Sequence, residues 1–395
     1  MKKLTTIGLF FVIIFVLSGC NKADGDYSSG KKYFDSGNYE EAAKCFSSAI
    51  ENNPNRAEYY IGYGMSLIGF EKYDEAIAQF DRIIMDKKIS MVLENNKRAL
   101  RGKGIAYVNM QNYQEAINVF DEALKINELS DLNMDILYYK GNILSNTGSY
   151  REAAEIYTLI MDQFGEDAQI LGNRAYAYQK LGEYEKGIDD FDRAIALQNT
   201  NYEHYFGKYY LLQNMGRTND AHEVLSRAAE LEIKTKADKF ALAKIHFYQG
   251  LYDQAFPELS ESFGNGFTEA YLYIGEIYSQ KKDYSTAKYY YEKYIEEGAD
   301  SYEVYNQIAS CHIKMDEYEQ AIPYLETGLK FANNDEARIL RKNEIIAYES
   351  LGDFEKALNK LQAYIASYPA DELAKNELSF IVSRQAGKSV TIDSQ

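Results

Sequence analysis

The stretch GNYEEAAKCFSSAI, residues 37–50, decides the fold of this 395-residue chain. It places aromatic side chains at Tyr39 and Phe46 and small side chains at Ala42 and Ala49. Spacings of three and four residues put all four side chains on one face of an α-helix. A glycine two positions before Tyr39 marks a turn. The stretch therefore predicts the second helix of a helical hairpin.

The same pattern recurs along the whole chain. The position of Tyr39 returns at intervals of 32 to 40 residues, most often 34, at Tyr39, Tyr73, Tyr113, Tyr150, Tyr184, Thr218, Tyr252, Tyr284, Tyr318 and Phe354. A small residue follows three positions later in all ten units. Small residues let two helices approach closely, and the large apolar residue four positions further on fills the space beside their crossing. Because one hairpin cannot bury its apolar face alone, ten hairpins predict an all-α stacked solenoid.

In this order of residues the chain resembles the tetratricopeptide repeat (TPR) family. The first unit matches the family pattern at Gly30, Tyr33, Ala42, Phe46, Ala49 and Pro54, and the second at Tyr60, Gly64, Ala76 and Phe80. The resemblance covers residues 27–369. It implies a right-handed superhelical solenoid of about ten helix-turn-helix repeats, in which the first helix of each repeat lines the concave side.

Three departures from the pattern carry expectations of their own. In the sixth unit Tyr209 replaces the small residue and Thr218 the aromatic, which predicts either a hinge or a locally widened but rigid repeat. The longest spacing, 40 residues, predicts lengthened helices or a protruding loop near residues 86–96. Pro257 and Pro323 each remove a helical hydrogen bond and are expected to bend their second helices slightly.

The C-terminal residues predict a cap on the last repeat. Residues 370–384 form an amphipathic segment that begins beside Asp371, a suitable helix cap. A terminal repeat would otherwise expose its apolar side, so this segment is expected to be a capping helix. Residues 385–395 lack a pattern and are expected to be a flexible tail.

The N-terminal residues have the layout of a secretory signal peptide, assigned to residues 1–19. Lys2 and Lys3 precede an apolar run, and the run closes on LSGC, which resembles the lipobox of bacterial lipoproteins. That resemblance implies acyl chains such as palmitate on Cys20, followed by a short tether over residues 20–26. The alternative is an uncleaved anchor helix. Both readings place the rest of the chain outside the cytoplasm, on the cell membrane, and leave the leaflet open.

Charge and residue types argue against several function classes. The formal charge of -17 opposes nucleic acid as a partner. The four histidines lack zinc-site spacing, and His246 and His312 are expected to pack between helices. No phosphate-binding glycine loop or nucleophile motif is present, and the many carboxylates occupy solvated helical phases. The sequence therefore predicts a protein that is not an enzyme and needs no metal or cofactor.

The register of the family places an aromatic stripe with interleaved amides on the first helices of units four to seven. Its members are Tyr138, Asn142, Asn173, Tyr176, Phe206, Tyr210, Gln213, Phe240, Lys244 and Phe247. Such a stripe suits an extended peptide or a helix, although the same rings could fill space between neighbouring helices. Glu203 stands where family members that clamp a terminal carboxylate continue with basic residues. The main hypothesis is a membrane-anchored protein-binding scaffold, and the alternative is a surface carbohydrate or nutrient-capture protein, which the absence of tryptophan disfavours.

Overall fold

The computed structural model describes residues 22–334 and 336–392, with side chains described to residue 382. Within these residues the secondary structure is entirely helical, in 21 helices. The chain divides into an N-terminal unit, Met1–Ala221, and a C-terminal unit, His222–Gln395. The predicted signal peptide and Cys20 lie outside the described residues. The all-α class expected from the repeat is confirmed.

The helices of the N-terminal unit alternate between first and second helices of a repeat. They are α1 (22–35), α2 (Tyr39–Asn52), α3 (Ala57–Gly69), α4 (Tyr73–Asp81), α5 (Ser90–Asn109), α6 (Tyr113–Leu124), α7 (Leu132–Asn146), α8 (Tyr150–Phe164), α9 (Ala168–Lys180), α10 (Tyr184–Leu197) and α11 (Tyr202–Asn214). Helix α12 (Thr218–Ala229) contains the boundary between the units. That boundary falls in the sixth repeat, whose role as a hinge stays a prediction.

The C-terminal unit continues the alternation. Its helices are α13 (Lys236–Tyr248), α14 (Tyr252–Gly264), α15 (Ala270–Gln280), α16 (Tyr284–Glu296), α17 (Tyr302–Lys314), α18 (Tyr318–Gly328), α19 (Ala337–Ser350), α20 (Phe354–Ser367) and α21 (Glu372–Ile392). Every second helix, from α2 to α20, begins at the residue aligned with Tyr39, including Thr218 in α12. The ten predicted helical hairpins are therefore present.

The turn inside each hairpin has one residue with a positive φ, two positions before the second helix. Glycine holds this place in six repeats, with φ of 76° at Gly37 and 84° at Gly148. The other four repeats place a side chain there: Glu71 (φ 66°), Gln111 (58°), Lys282 (62°) and Asp316 (60°). The left-handed region costs a residue with a Cβ about 1–2 kcal/mol. Those four turns are therefore held in place by the packing of the helices around them.

Each second helix carries a large side chain seven residues after its first residue. In the first two repeats this side chain, Phe46 or Phe80, is a wedge between two first helices. Phe46 is buried, and a Cβ added to Gly30 of the same repeat would lie 2.8 Å from its ring. A Cβ at Gly62 of the next repeat would lie 2.7 Å from the same ring. Phe80 has the same relation to Gly64 and to the first helix α5. The small residues of the first helices thus let two of these helices pack closely against the aromatic ring that residues 37–50 supply.

The N-terminal tether differs from the prediction. Residues 22–26 belong to α1, and this segment packs against α2 of the first repeat and α3 of the second. Asp26 accepts hydrogen bonds from Ser48 Oγ at 2.7 Å and from Asn52 Nδ2 at 3.3 Å, while Asp24 accepts one from Tyr59 Oη at 2.7 Å. These two carboxylates extend the first helix beyond the expected start at residue 27, because helices α2 and α3 supply their partners.

The predicted insertion near residues 86–96 consists of a loop followed by a lengthened first helix. Helix α5 has 20 residues, and Lys97 within it is fully buried. Its Nζ donates hydrogen bonds to the carbonyl oxygens of Ile126 at 2.8 Å and Glu128 at 2.9 Å. Burial lowers the pKa of Lys97. The lengthened helix is thereby joined to the segment that leads into α7.

Helix α21 covers the last repeat, with Ala374 and Ile381 buried against it. Asp371 lies before the first turn of α21, accepts a hydrogen bond from Tyr364 Oη at 2.6 Å and pairs with Lys342 at 2.8 Å. Lys342, Tyr364 and Arg338 lower the pKa of Asp371. The helix runs to Ile392, past the predicted end at residue 384, since no proline interrupts it. Whether the remaining tail is flexible stays a prediction.

Candidate functional site

The first helices of successive repeats contact one another inside each unit and form what we call the first-helix face. In the N-terminal unit α3 contacts α5, α5 contacts α7, and α9 contacts α11. Seven of the ten predicted stripe residues lie on α7, α9 and α11, and the other three lie on α13 of the C-terminal unit. The stripe is therefore divided between two units, and each part has its own surroundings.

Two of the predicted amides form a hydrogen-bonded network. Asn173 Nδ2 donates to Asn142 Oδ1 at 3.3 Å, and Gln169 Nε2 donates to Asn173 Oδ1 at 3.0 Å. The hydroxyl of the buried Tyr157 also donates to Asn142 Oδ1, at 2.8 Å, and burial raises the pKa of Tyr157. Tyr138 is half-buried against the same core. The network fixes the orientation of both amides on adjacent first helices.

An ion pair next to this network holds α9 in place. Arg174 donates two hydrogen bonds to the buried carboxylate of Asp190, at 2.8 Å and 2.6 Å. Its third contact is to Thr158 Oγ1 at 2.8 Å. A bidentate guanidinium–carboxylate pair restricts orientation as well as distance. The amides and rings of α9 therefore project from a helix that is fastened to both α8 and α10.

Two predicted aromatic residues of the N-terminal unit are exposed. Tyr176 on α9 is 42% exposed, with Lys180 Nζ 5.2 Å from its ring centroid, and Tyr210 on α11 is 39% exposed. Both stand one position after the place of the small residue in their first helices, 34 residues apart. Gln213 is half-buried, one turn beyond Tyr210. Two rings of consecutive repeats thus face solvent, and Tyr176 lies on the same helix as Asn173 of the amide network.

Two other members of the stripe pack inside the protein. Phe206 is 3% exposed and Phe240 is 7% exposed. Phe240 stacks on Phe267, which lies in the turn before α15, with ring centroids 4.9 Å apart. These two residues are core residues, so the prediction that they line a binding surface is wrong. The packing alternative applies to them.

The remaining residues of the stripe belong to an aromatic cluster of the C-terminal unit. The ring centroid of Phe247 lies 5.1 Å from that of Tyr273 and 5.8 Å from that of Tyr252. Lys244 Nζ lies 4.0 Å from a carboxylate oxygen of Glu269. Both Lys244 and Phe247 are half-buried, so this cluster offers less ring surface than α9 and α11 do.

Sequence reasoning missed a groove on the first-helix face of α1, α3 and α5. Its volume is about 520 Å³, and Tyr27, Phe34, Ile61 and Met65 supply apolar walls beside the basic side chains Lys31, Arg98 and Arg101. The predicted aromatic stripe begins only in the fourth unit. Lys31, Arg98 and Arg101, three basic residues on first helices of an acidic chain, are the sequence signal that could have indicated this groove.

The described side chains hold no arrangement that resembles a metal site. Across residues 22–334 and 336–382, no three His, Cys, Asp or Glu side chains are placed to bind a metal ion. His246 and His312 each pair with a glutamate, at 2.7 Å from Glu258 and from Glu317 respectively. The ring of His312 also stacks on Tyr324. Both histidines thus make contacts between or beside helices, as the sequence predicted.

None of the helices in the described part of the chain combines the length and the apolar character needed to cross a membrane. The apolar run near residue 10 lies outside that part.

Comparisons with known proteins agree with this architecture. Models described as tetratricopeptide repeat match residues 27–90, 97–130, 168–201, 278–343 and 345–371, together more than half of the chain. The crystal structure of a tetratricopeptide repeat protein from Parabacteroides merdae superposes with a TM-score of 0.52 at 19% identity, covering 64% of this chain and 98% of that one. This likeness concerns the fold alone.

Curated relatives match part of the chain. The Hsp70-Hsp90 organizing protein of Triticum aestivum is 29% identical over 209 residues, which are 45% of this chain and 35% of that protein. A TPR repeat-containing protein of Methanocaldococcus jannaschii is 24% identical over 216 residues, covering 51% of this chain and 37% of that protein. The matches span between 35% and 42% of the length of these relatives. The ten hairpins and the family matches lead to one conclusion: the chain belongs to the tetratricopeptide repeat family.

Proposed function

We propose that this TPR chain is a lipid-anchored, extracytoplasmic scaffold that holds a segment of another protein on the first-helix face of its N-terminal unit. The observation that carries the proposal is the pair of exposed rings, Tyr176 and Tyr210, on consecutive first helices, together with the Asn142–Asn173 amide network that joins α7 to α9. Large aromatic rings that stay exposed on a rigid support are favoured contacts in protein recognition.

The chemistry of this surface suits a peptide backbone. An extended peptide presents N–H donors and C=O acceptors along its length, and Asn and Gln side chains provide both kinds of partner. Rings placed on adjacent repeats would contact alternate side chains of the same peptide. Because Arg174 and Tyr157 hold the supporting helices, little ordering is needed when a partner binds.

The name of one relative supports a scaffold role by analogy. The Hsp70-Hsp90 organizing protein is named for organizing two other proteins. The present chain matches only 35% of that relative, and it lacks the basic residues of a terminal-carboxylate clamp over its fourth to sixth units. The proposal therefore assigns this chain the role of a protein scaffold and does not assign it the relative's partners.

The membrane anchor is proposed from the sequence around Cys20. The apolar run and the LSGC segment support cleavage before this cysteine and acylation of it. Two or more acyl chains give stable membrane attachment, whereas one does not. The anchor test is metabolic labelling with an alkyne-tagged palmitate, which we expect to mark the wild type and not Cys20→Ser. Label retained by the Cys20→Ser variant would contradict the assignment.

The scaffold test is photo-cross-linking in the cells that produce the protein. A photoreactive phenylalanine replaces Tyr176, Tyr210 or, as the matched control, Tyr289, which is 53% exposed on α16. We expect a shared cross-linked protein from positions 176 and 210 that is absent from position 289. Circular dichroism of each variant verifies the fold. Products that are the same at all three positions, or none at 176 and 210, would contradict the proposal.

A further inference from the structure

We propose that residues 82–91, which we call the insertion loop, place their apolar side chains in the headgroup layer of an anionic phospholipid membrane. The insertion loop consists of the connection between α4 and α5 and the first two residues of α5. This inference rests on the proposed function, because it requires acylation of Cys20. It gives the anchored chain a second point of attachment, apart from the surface assigned to a protein partner.

The insertion loop exposes three large apolar side chains within seven residues. Met85 is 46% exposed, Ile89 is 59% exposed and Met91 is 71% exposed. In the described part of the chain, every other segment that joins two repeats exposes at most one such side chain, as Ile233 and Phe331 do. Exposed apolar area is unfavourable in water, so a cluster of this kind indicates a surface that a partner covers.

Helix α5 holds the insertion loop in this position. Asn96, which is 7% exposed, donates a hydrogen bond from Nδ2 to the carbonyl oxygen of Met85 at 2.7 Å. The backbone N–H of Met85 donates in return to Asn96 Oδ1 at 3.1 Å. The backbone N–H of Lys87 donates to the same carbonyl oxygen of Met85 at 2.9 Å. A fixed backbone therefore presents the apolar side chains, and little ordering is needed when they insert.

The insertion loop lies at the end of the helices where α1 begins. Asp24, in the first turn of α1, pairs with Arg56 at 3.3 Å, and Arg56 lines a recess of about 540 Å³ together with Met85 and Met91. Because α1 begins two residues after Cys20, its start is at most about 7 Å from the Cα atom of that cysteine. The headgroup layer is about 5–8 Å thick on each side of a bilayer. An acylated Cys20 would therefore bring this end of the first two repeats to the headgroups.

The charges of the insertion loop favour an anionic surface. It contains three basic side chains, Arg82, Lys87 and Lys88, and one acidic side chain, Asp86, all of them exposed. The whole chain, in contrast, has 60 acidic and 43 basic residues. Basic side chains next to apolar ones match the interface of an anionic bilayer, because the lysine stems can lie in the apolar layer while the ammonium groups reach the phosphates.

The test measures the depth of the insertion loop by fluorescence. The sequence contains no tryptophan, so a single introduced tryptophan gives the whole indole signal. The variants are Met91→Trp in the insertion loop and, as the matched control, Met110→Trp. Both methionines are exposed, and they stand at opposite ends of α5, about 28 Å apart at about 1.5 Å per residue.

The protein used is the full-length acylated chain, extracted from the membranes of the cells that produce it. It is added to preformed vesicles of equal parts phosphatidylglycerol and phosphatidylcholine, with or without bromine atoms on the acyl chains near the headgroups. Bromine quenches a tryptophan that lies close to it. Flotation of the vesicles verifies that each variant is attached, and circular dichroism verifies its fold.

We expect brominated vesicles to remove at least about half of the Met91→Trp fluorescence, because the ring would lie at the boundary between headgroups and acyl chains. The Met110→Trp fluorescence should change by less than about a tenth, because that ring would lie about 28 Å further from the membrane. Equal quenching at the two positions would overturn the inference, since the insertion loop would then not be the end that contacts the lipid.

A second pair of variants tests the charges in the Met91→Trp chain. Lys87→Glu with Lys88→Glu should reduce the quenching at least about twofold, because anionic lipid would repel the altered loop. The control is Lys281→Glu with Lys282→Glu, which makes the same charge change at two exposed residues in the turn between α15 and α16 and should preserve the quenching. The same loss in both variants would attribute the lipid contact to total charge and would overturn the inference.

The remaining outcomes separate the inference from the proposed function. A chain that floats with the vesicles but shows no quenching at position 91 would overturn the inference and leave the acyl anchor intact. A chain that does not float would overturn both, while cross-linking at positions 176 and 210 judges the scaffold role by itself. A photoreactive phenylalanine at position 89 that cross-links to a protein in the producing cells, without quenching at position 91, would assign the insertion loop to a protein partner instead.

Discussion

Two parts of the first-helix face in the N-terminal unit differ in chemistry, although both are built from the same helical repeat. The groove of α1, α3 and α5 is a recess with apolar walls and cations. The surface of α7, α9 and α11 has a joined pair of amides and two exposed tyrosine rings. The two surfaces belong to the same fold, so the difference between them arises from a few side chains.

The wedge residue of the second helix explains much of that difference. Phe46 is followed sixteen residues later by Gly62, and its ring needs no hydrogen-bond partner. Tyr157 is followed sixteen residues later by Asn173, and its hydroxyl donates to Asn142. A buried hydroxyl without an acceptor would cost free energy, so the tyrosine requires a polar first-helix residue.

The C-terminal unit repeats the same relation. The buried Tyr291 donates a hydrogen bond to Glu276 Oε2 at 3.1 Å, and Glu276 stands in its first helix at the place that Asn142 occupies. Burial raises the pKa of Tyr291. Exchanging phenylalanine for tyrosine in the core is thus accompanied by a polar residue on the first-helix face.

The largest expected effect concerns the residue that joins the two surfaces. Lys97→Ala removes both hydrogen bonds to the segment before α7 and leaves a cavity. We expect the free energy of local opening in α5 to fall by about 3 kcal/mol, measured by native-state hydrogen exchange. Arg98→Ala, at the exposed neighbouring position, serves as the control and should change it by less than about 0.5 kcal/mol. Equal losses would show that the buried amine does not couple the surfaces.

A smaller effect is expected where the wedge meets the groove. Gly62→Ala forces a methyl group against the ring of Phe46, which is already held by Gly30 on its other side. The cost of overpacking, reduced by the better helix propensity of alanine, is about 1–2 kcal/mol. Chemical denaturation followed by circular dichroism measures it.

Asn173→Ala is the matched change on the other surface, where a Cβ is already accommodated. It loses hydrogen bonds worth about 1 kcal/mol and should not disturb the ring of Tyr157. A Gly62→Ala variant as stable as the wild type would mean that Phe46 can move. The proposed difference between Gly62 and Asn173, the corresponding residues of the two surfaces, would then be wrong.

The smallest effect is expected in the turns of neighbouring repeats. Gln111→Gly in the third repeat removes a side chain from a positive φ, and should raise the free energy of unfolding by about 0.5–1 kcal/mol. Gly148→Ala in the fourth repeat should lower it by about 1 kcal/mol for the same reason. Thermal unfolding of the two variants beside the wild type measures both signs. A lower stability for Gln111→Gly would indicate that the glutamine side chain has a stabilising contact.

Much of the architecture could be predicted because the repeat is encoded by local spacing. All ten second helices begin at the aligned position, even Thr218, where the aromatic is absent. The non-glycine turn residues were invisible to a search for turn glycines, yet Gln111 adopts the same φ region as Gly37. Packing of the two helices imposes that conformation whichever residue is present.

The candidate surfaces were predicted less completely. Tyr176 and Tyr210 were expected on the first-helix face and are exposed there, whereas Phe206 and Phe240 are in the core. Tyr176 and Tyr210 stand one position after the place of the small residue, and Phe206 and Phe240 stand three positions before it. Their burial depends on what the neighbouring repeat places against the ring, and for Phe240 this is Phe267 in the turn before α15. Such contacts lie between repeats and have no signature in the spacing of one repeat.

By itself the sequence determined the helical hairpins, their number and the positions where second helices begin, because period and residue size act over a few neighbouring turns. Only the tertiary structure decided which first-helix side chains are exposed, that Asn142 and Asn173 meet, and that Lys31 and Arg98 share one groove. Those facts depend on distances between residues about thirty or more positions apart, which stacking of repeats sets and local spacing does not.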